Sequence, residues 1–310
     1  MKETLNAIYS GFREILTWHT MRYALISGAI VALIWAVIGF FAWDILVGLS
    51  TSFIELLPFK IIRSDGASML SAFIWIQLVL VTFAFIYIFI GNFILRSLDR
   101  DKYTAFTILT IFGTSLFWAV VWFFMHDYIH AQLVNFLSTL PFETIKKGFA
   151  SLMAFYFIYN GVVMTMVFFA SFFSAPLMRA IEEKNGTEAN LVQTNRFRSM
   201  KYTLKDSLIF TALVIVLFPL VFIPVIDMFV QLALWSWFIK NTMSYDAASL
   251  VYEEKQEEEI AKHKPAVWFI SFVTVLFNFL PIFNIFGPFF GEIAMFRYFK
   301  NIKEAQKEAE

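Results

Sequence analysis

Four apolar stretches, each long enough to cross a lipid bilayer, restrict this chain to one class of protein. They cover residues 23–43, 69–95, 104–125 and 149–175. About 20 apolar residues in an α-helix cross a hydrocarbon core of roughly 30 Å, so each stretch predicts one spanning helix. The chain is 59% hydrophobic and 15% charged, whereas about a quarter of a soluble domain is charged. The predicted fold class is therefore all-α, a polytopic helical membrane protein with four full spans.

Two further apolar runs near the C-terminus are interrupted by prolines. The runs cover residues 208–239 and 266–298, and the breaks fall at Pro219, Pro224, Pro281 and Pro288. A helix broken inside lipid leaves backbone groups unpaired, which is tolerated only where protein or a watery cavity supplies partners. The halves of each run are also short for a span at about 1.5 Å per residue. The runs predict two half-penetrating helical hairpins, with ordinary Pro-kinked spans as the alternative.

The remaining segments complete a single integral membrane domain over residues 1–310. Within residues 1–21, apolar side chains recur at three- and four-residue spacing at Leu5, Ile8, Phe12 and Ile15. This pattern is typical of one apolar stripe on a helix. We expect that helix to lie on the membrane surface. Residues 299–310 form a polar tail.

The chain matches itself when it is shifted by 83 residues. The matched positions include Trp35 with Trp118, Asp44 with Asp127, Thr82 with Thr165, and Leu57-Pro58-Phe59 with Leu140-Pro141-Phe142. Internal similarity of this kind reveals units of architecture. We predict two units, residues 22–103 and 105–186, each made of a span, an interfacial stretch and a second span. Such units would be related by an axis along the membrane normal; chance similarity between Phe-rich helices is the alternative.

Basic residues in the links between spans predict the orientation. Cytoplasmic loops are enriched in Lys and Arg. Such residues concentrate at the N-terminus, after the second span and after the fourth span: Lys2, Arg13, Arg22, Arg96, Arg100, Lys102, Arg179, Lys184, Arg196, Arg198, Lys201 and Lys205. Both termini are therefore predicted to be cytoplasmic. The charged segment of residues 241–264, between the two hairpins, is predicted on the same side.

Composition and motifs exclude several functions. The net charge is zero, so no overall basic field indicates nucleic acid as a partner. The chain has no cysteine, which excludes disulfides, thiolate metal sites and cysteine nucleophiles. It has no phosphate-binding glycine loop, HExxH zinc pattern or GxSxG nucleophile elbow. We expect neither an enzyme nor a bound cofactor or metal.

Carboxylates interrupt both proline-broken runs. Asp227 follows Pro224, and Glu292 follows Pro288. An ionisable side chain in apolar membrane sequence is costly and is a functional-site hypothesis by default. Asp227 and Glu292 are therefore candidates for pore lining or ion coupling. Acidic residues in a first helical turn also stabilise free N–H groups, so helix capping is the alternative, most directly for Asp227.

Four stretches resemble the CysZ-type sulfate permeases and the related etoposide-induced membrane proteins. In chain order they are Gly11-Phe12 with Arg22-Tyr23, Phe173-Ser174-Ala175-Pro176-Leu177 with Glu182-Glu183 and Gly186, Phe222-Ile223-Pro224-Val225-Ile226, and Phe279-Leu280-Pro281-Ile282-Phe283-Asn284-Ile285-Phe286-Gly287-Pro288. The resemblance implies a bacterial inner-membrane protein with long spanning helices, two half-penetrating hairpins and a role in sulfate uptake for cysteine synthesis.

The resemblance also implies an anion contact before the first span. The family has a Gly-hydrophobic-Arg-Arg step there, whose N–H groups and guanidinium forks suit an oxyanion. This chain has His19 in place of the glycine and Met21 in place of the first arginine, so only Arg22 carries over. Arg22 and His19 are the anion-binding candidates. The alternative for Arg22 is simple anchoring of the span at the membrane surface.

The leading hypothesis is a membrane permease or channel for a small inorganic anion, with sulfate first, in sulfur assimilation. Its expected partners are the lipid bilayer, the transported anion and further copies of the chain in a homo-oligomer. The alternative is a non-transporting membrane scaffold or envelope-maintenance protein, in which the hairpins make oligomer contacts.

Overall fold

A computed structural model describes residues 2–55, 59–86, 99–186, 191–192, 196–217, 220, 226–280 and 282–309. The described part is all-helical, which confirms the predicted class. The helices are α1 (Lys2–Ile15), α2 (Trp18–Glu55), α3 (Phe59–Ile86), α4 (Arg100–Ser138), α5 (Phe142–Lys184), α6 (Arg196–Leu217), α7 (Ile226–Val251), α8 (Gln256–Lys262), α9 (Lys264–Asn278) and α10 (Gly287–Ala309), with a short 3-10 turn at Phe283–Ile285.

Among the described residues, α2 to α5 are four helices long and apolar enough to cross a membrane, as the sequence predicts, and the bent pair of α8 and α9 would add a fifth if it formed one span. Three of them extend further than the predicted spans, because α2, α4 and α5 contain 38, 39 and 43 residues. At 1.5 Å per residue they are about 57 to 65 Å long, roughly twice the hydrocarbon thickness. Apolar side chains cover their outer faces; Phe40 and Phe124 are 82% and 80% exposed. This surface suits contact with lipid chains.

The four long helices pair in an interleaved order. Helix α2 packs along α5, and α3 packs along α4. The indole N–H of Trp35 donates to the Thr165 hydroxyl across the first pair at 2.9 Å. The indole N–H of Trp118 donates to the Thr82 hydroxyl across the second pair, also at 2.9 Å. Gly161 makes room for the first contact, because a Cβ atom at that position would overlap the Trp35 ring.

A separate apolar cluster joins α2, α3 and α5 near the ends where α2 connects to α3 and α4 connects to α5. Its buried members are Ile54, Ile62, Ile145, Phe149, Ala150 and Met153. Beside the cluster, the Lys146 ammonium donates to the Glu55 carboxylate at 2.6 Å. These contacts join α2 to α5 outside the main hydrophobic core of the protein.

Helices α6 and α7 fold back on each other as an antiparallel hairpin. Tyr202 stacks on Tyr245 with ring centroids 4.2 Å apart, and nearer the turn Phe210 packs on Phe238 at 4.7 Å. The interruption lies between Leu217 and Ile226, around Pro219 and Pro224, which themselves fall outside the described residues. Helix α7 then continues to Val251 with residues 242–251 all buried. The first part of the segment expected to be a cytoplasmic link is therefore packed helix.

Helices α9 and α10 form a second antiparallel hairpin. Phe277 stacks on Phe290 at 4.6 Å near the turn, and His263 meets Tyr298 at 5.7 Å near the open end. Pro281 falls outside the described residues. Pro288 is the second residue of α10, a position where the missing N–H would have no partner within the helix. Helix α10 runs to Ala309, so the predicted polar tail continues the same helix.

Helix α1 packs on α10 through a face that overlaps the predicted stripe. Its buried positions are Thr4, Ala7, Gly11, Glu14 and Ile15, and Ile8 and Phe12 also pack against the core. A Cβ atom at Gly11 would lie 3.2 Å from the Cβ atom of Ala294, so the two helices approach closely. Leu5, from the predicted stripe, is 53% exposed. Helix α1 is therefore part of the protein core and is not held by the membrane surface alone.

We expect Gly161→Ala to lower the melting temperature by about 5 °C, because overpacking costs typically 1–3 kcal/mol and each kcal/mol shifts Tm by about 2–4 °C. Gly113→Ala is the matched control, since no atom lies within 4 Å of a Cβ atom there. Tryptophan fluorescence in detergent suits the measurement, because the chain has no thiol for a maleimide dye. Equal melting temperatures for the two variants would contradict the packing role of Gly161.

Candidate functional site

Polar side chains of α5 contact both hairpins. The Tyr159 hydroxyl donates to the backbone carbonyl of Asn278 at 2.8 Å and accepts from the Asn284 side-chain amide at 3.2 Å. One turn away, the Tyr156 hydroxyl accepts from the Gln231 side-chain amide of α7. Neutral hydroxyl and amide groups therefore join α5 to the turn of the second hairpin and to α7 of the first. We call this group the turn cluster.

One member of the turn cluster has unused hydrogen-bonding capacity. Neither the Oδ1 nor the Nδ2 atom of Asn278 has a partner within the described part of the chain, although both atoms are buried. An unsatisfied buried polar group costs roughly 1–3 kcal/mol, so native structures usually satisfy such a group with water or a ligand. The amide can offer one donor group and one acceptor group to a bound molecule.

The predicted Glu292 lies in a second polar level, away from the hairpin turns. Its side chain is completely buried, at 0% exposure. The carboxyl group of Asp246, on α7, is close enough to act on it electrostatically, and Ser174 of α5 faces the same group. Asp246 is 3% exposed. The sequence offered little to single it out, because it lies in a segment predicted to be a polar cytoplasmic link.

A third level contains an ion-pair network that joins α1, α5 and α10. Glu182 is 1% exposed and accepts from the Arg297 guanidinium at 2.7 Å and from the Lys300 ammonium. Glu14 of α1 lies 3.7 Å from Arg297 and accepts from the Asn185 side-chain amide at 3.1 Å. Glu304 also lies 3.8 Å from Lys300, so three carboxylates surround two cations and the network has no excess positive charge that would attract an anion.

The predicted anion-binding residues lie one turn apart at the start of α2. The Arg22 guanidinium lies over the Tyr23 ring, 5.1 Å from its centroid, and no ion pair within the described residues involves Arg22. The Nδ1 atom of His19 is buried and has no hydrogen-bond partner in the same part of the chain. Arg100, at the start of α4, lies 4.9 Å from the Trp18 ring centroid. This end of the spans therefore carries two arginines, Arg22 at the start of α2 and Arg100 at the start of α4.

The other predicted site residue is placed only in part. Asp227 is the second residue of α7, but its side chain lies outside the described part, so both pore lining and capping stay predictions. Among the described residues, no group of three or more His, Asp or Glu side chains is arranged to hold a metal ion.

Comparison with known proteins identifies one matching family. The family model described as Sulfate transporter CysZ/Etoposide-induced protein 2.4 matches residues 95–288. The match contains α4, α5 and the turns of both hairpins. It begins after α2, so Arg22 and His19 lie outside it. No curated protein and no solved structure matched the chain.

We expect Glu182→Gln to destabilise the folded protein by about 3–5 kcal/mol, because removal of one buried partner leaves charges uncompensated. Glu183→Gln is the control, since its side chain is exposed and belongs to the same helical turn. Thermal unfolding in detergent would compare the two variants. A Glu182→Gln protein as stable as the Glu183→Gln protein would show that the network does not hold α10 to α5.

Proposed function

The chain belongs to the family of CysZ sulfate transporters and etoposide-induced proteins, and from this premise we propose that it is a membrane permease or channel for a small inorganic anion, with sulfate as the first candidate. The turn cluster is the observation that carries the proposal. Neutral hydroxyl and amide groups can bind an oxyanion within a protein, yet they hold it less tightly than a cation would. Conduction requires binding that is favourable enough for entry and weak enough for release.

Helix lengths support half-penetrating hairpins around that cluster. The apolar parts of α6 and α7, residues 207–217 and 226–239, measure about 16 and 21 Å at 1.5 Å per residue, less than a hydrocarbon core of about 30 Å. Gln231 of α7 contacts Tyr156 of α5, and the turn of the second hairpin contacts Tyr159. Tyr159 is ten residues, about 15 Å, from Phe149, where the apolar stretch of α5 begins. The hairpins would therefore end inside the membrane.

Helix boundaries support the 83-residue repeat. Helices α2 and α4 end at Glu55 and Ser138, and α3 and α5 begin at Phe59 and Phe142, both at the repeat distance. The hydrogen bonds between α2 and α5 and between α3 and α4 are related in the same way, because Trp35 corresponds to Trp118 and Thr82 to Thr165. Reciprocal contacts of this kind are expected of two units related by a twofold axis. We infer that the units exchange their second spans.

The charge distribution supports an anion path that begins at the arginine end of the spans. Arg22 and Arg100 lie at the starts of α2 and α4, where the predicted topology places the cytoplasmic surface of a bacterial inner membrane. Exposed cations raise the local concentration of an anion, and salt weakens this effect.

A homo-oligomer remains part of the proposal, because apolar faces of the spans are available to further copies.

Sulfate flux through proteoliposomes tests the proposal. We expect protein-dependent flux that Arg22→Ala lowers several-fold at low ionic strength and less at high salt, because screening removes the steering effect. Arg13→Ala, an exposed arginine on α1, is the control for charge alone.

Tyr159→Phe is expected to change flux by about tenfold, the equivalent of roughly 1.4 kcal/mol, whereas Tyr128→Phe on the exposed surface of α4 should not.

A folded, inserted protein without flux above that of empty vesicles would reject the anion assignment. The scaffold hypothesis would then take its place.

Labelling of single cysteines tests the hairpin topology, because the natural chain has none. Cysteines introduced at Leu204, Glu253 and Lys307, all exposed, should react with an impermeant maleimide from one side of the membrane. A cysteine at Thr139, between α4 and α5, should react from the other side. Labelling of positions 204 and 253 from opposite sides would mean that α6 and α7 cross the bilayer as one Pro-kinked span and not as a hairpin.

A further inference from the structure

The two hairpins change from polar to apolar sequence at nearly the same level. Helix α7 is largely apolar over residues 226–239 and then reaches Lys240, whereas α9 begins at Lys264 and is apolar from residue 266. The Lys240 ammonium reaches the ring of Trp268, so the two changes lie within about one helical turn of each other. A change of this kind marks the level at which a membrane helix leaves the hydrocarbon core.

A lysine from each hairpin flanks Trp268. The Lys240 Nζ atom lies 5.7 Å from the centroid of the Trp268 ring, a distance at which the face of an indole attracts a cation. Lys264 precedes Trp268 by one helical turn on α9, and residues at that spacing lie on one face of a helix. Trp268 therefore has one ammonium group from α7 over its ring and a second on its own helical face.

Neither lysine forms an ion pair in the part of the chain that the structure describes. Lys240 is partly buried, and its Nζ atom donates to the neutral side-chain oxygen of Asn241 at 2.7 Å. Asp206 of α6 attracts the Lys240 charge without pairing with it, and Lys264 repels the same charge. Because an ammonium group carries three donors, Lys240 has capacity to bind an anion.

An apolar surface continues from the two lysines toward the turn of the second hairpin. Phe272 and Leu276 follow Trp268 at intervals of one helical turn, and they are 40% and 43% exposed. Side chains at this spacing form one continuous helix face, which extends for about 12 Å. A phospholipid presents its phosphate group and its acyl chains in the same order. The surface therefore complements both parts of one lipid molecule.

We propose that Lys240 and Lys264 bind the phosphate group of an anionic phospholipid whose acyl chain lies along Phe272 and Leu276. Ammonium groups bind phosphate oxygens through charge-assisted hydrogen bonds, and basic pockets between membrane helices bind anionic headgroups. The glycerol region of the lipid packs on Trp268, a residue type enriched at this level of a bilayer. The bound lipid links the first hairpin to the second. This site rests on the membrane placement of the hairpins in the proposed function, but not on transport.

Native mass spectrometry of the delipidated full-length protein in a neutral detergent tests the site. We expect phosphatidylglycerol to bind more tightly than phosphatidylcholine, which has the phosphate group but no net charge. Lys240→Gln and Lys264→Gln should each weaken phosphatidylglycerol binding about fivefold, because each removes one cation. Lys201→Gln, an exposed lysine on α6, is the matched control and should bind as the wild type does. Lys264 is exposed, so its variant provides the measurement where Lys240→Gln does not fold.

Three results would overturn the proposal. One is equal affinity for phosphatidylglycerol in the wild type and both lysine variants. Another is an equal loss with Lys201→Gln, which would indicate general attraction to a basic surface. The third is complete displacement of phosphatidylglycerol by inorganic phosphate, which would make this a site for a free anion. Because the binding measurement needs no transport, a protein that binds the lipid but conducts no sulfate would reject only the proposed function.

Discussion

The carboxylate of Glu182 connects the two halves of the protein. The four long helices pack among themselves, and so do the two hairpins. Polar groups of α5 form contacts between these two sets of helices. Burial of a carboxylate is unfavourable unless cations and hydrogen-bond donors surround it. Arg297 and Lys300 provide these cations from α10, so the position of the second hairpin along α5 depends on this pairing. The same register places Asn278 and Asn284, at the turn of the second hairpin, beside Tyr159.

Helix α5 carries polar side chains on the side that faces the hairpins and apolar side chains on the side that faces away from them. Tyr159, Ser174 and Glu182 face the hairpins at successive levels, whereas the lipid-facing side carries residues such as Phe155 and Phe172, both exposed. The chemistry changes from neutral groups at the turns to the ion-pair network near the end of the helix. An anion attracted by the arginines would therefore meet fewer fixed charges as it moved inward.

Features that depend on local sequence could be predicted from the sequence, and features that depend on a partner could not. The class and the number of candidate spans follow from apolar length, whereas Pro219, Pro224 and Pro281 lie outside the described residues. The apolar stripe of α1 was identifiable, but its partner was not, because such a stripe does not distinguish lipid from protein; Gly11 permits the close packing on α10. Glu292 was identifiable as a charge in an apolar run. Asp246 and Tyr159 were not, since an aspartate among polar residues and a tyrosine in an aromatic-rich helix become informative only beside their partners.

The interleaved pairing of the long helices has a consequence for the order of membrane insertion. Trp35 and Thr82, in the first two spans, form their hydrogen bonds with Thr165 and Trp118, in the last two. A nascent chain that has released only α2 and α3 would thus hold both polar groups in lipid without their final partners. Assembly can be completed only after α5 has entered the membrane. During synthesis, α3 can therefore pair with α4 as soon as α4 has entered, whereas α2 must remain without its partner until α5 follows.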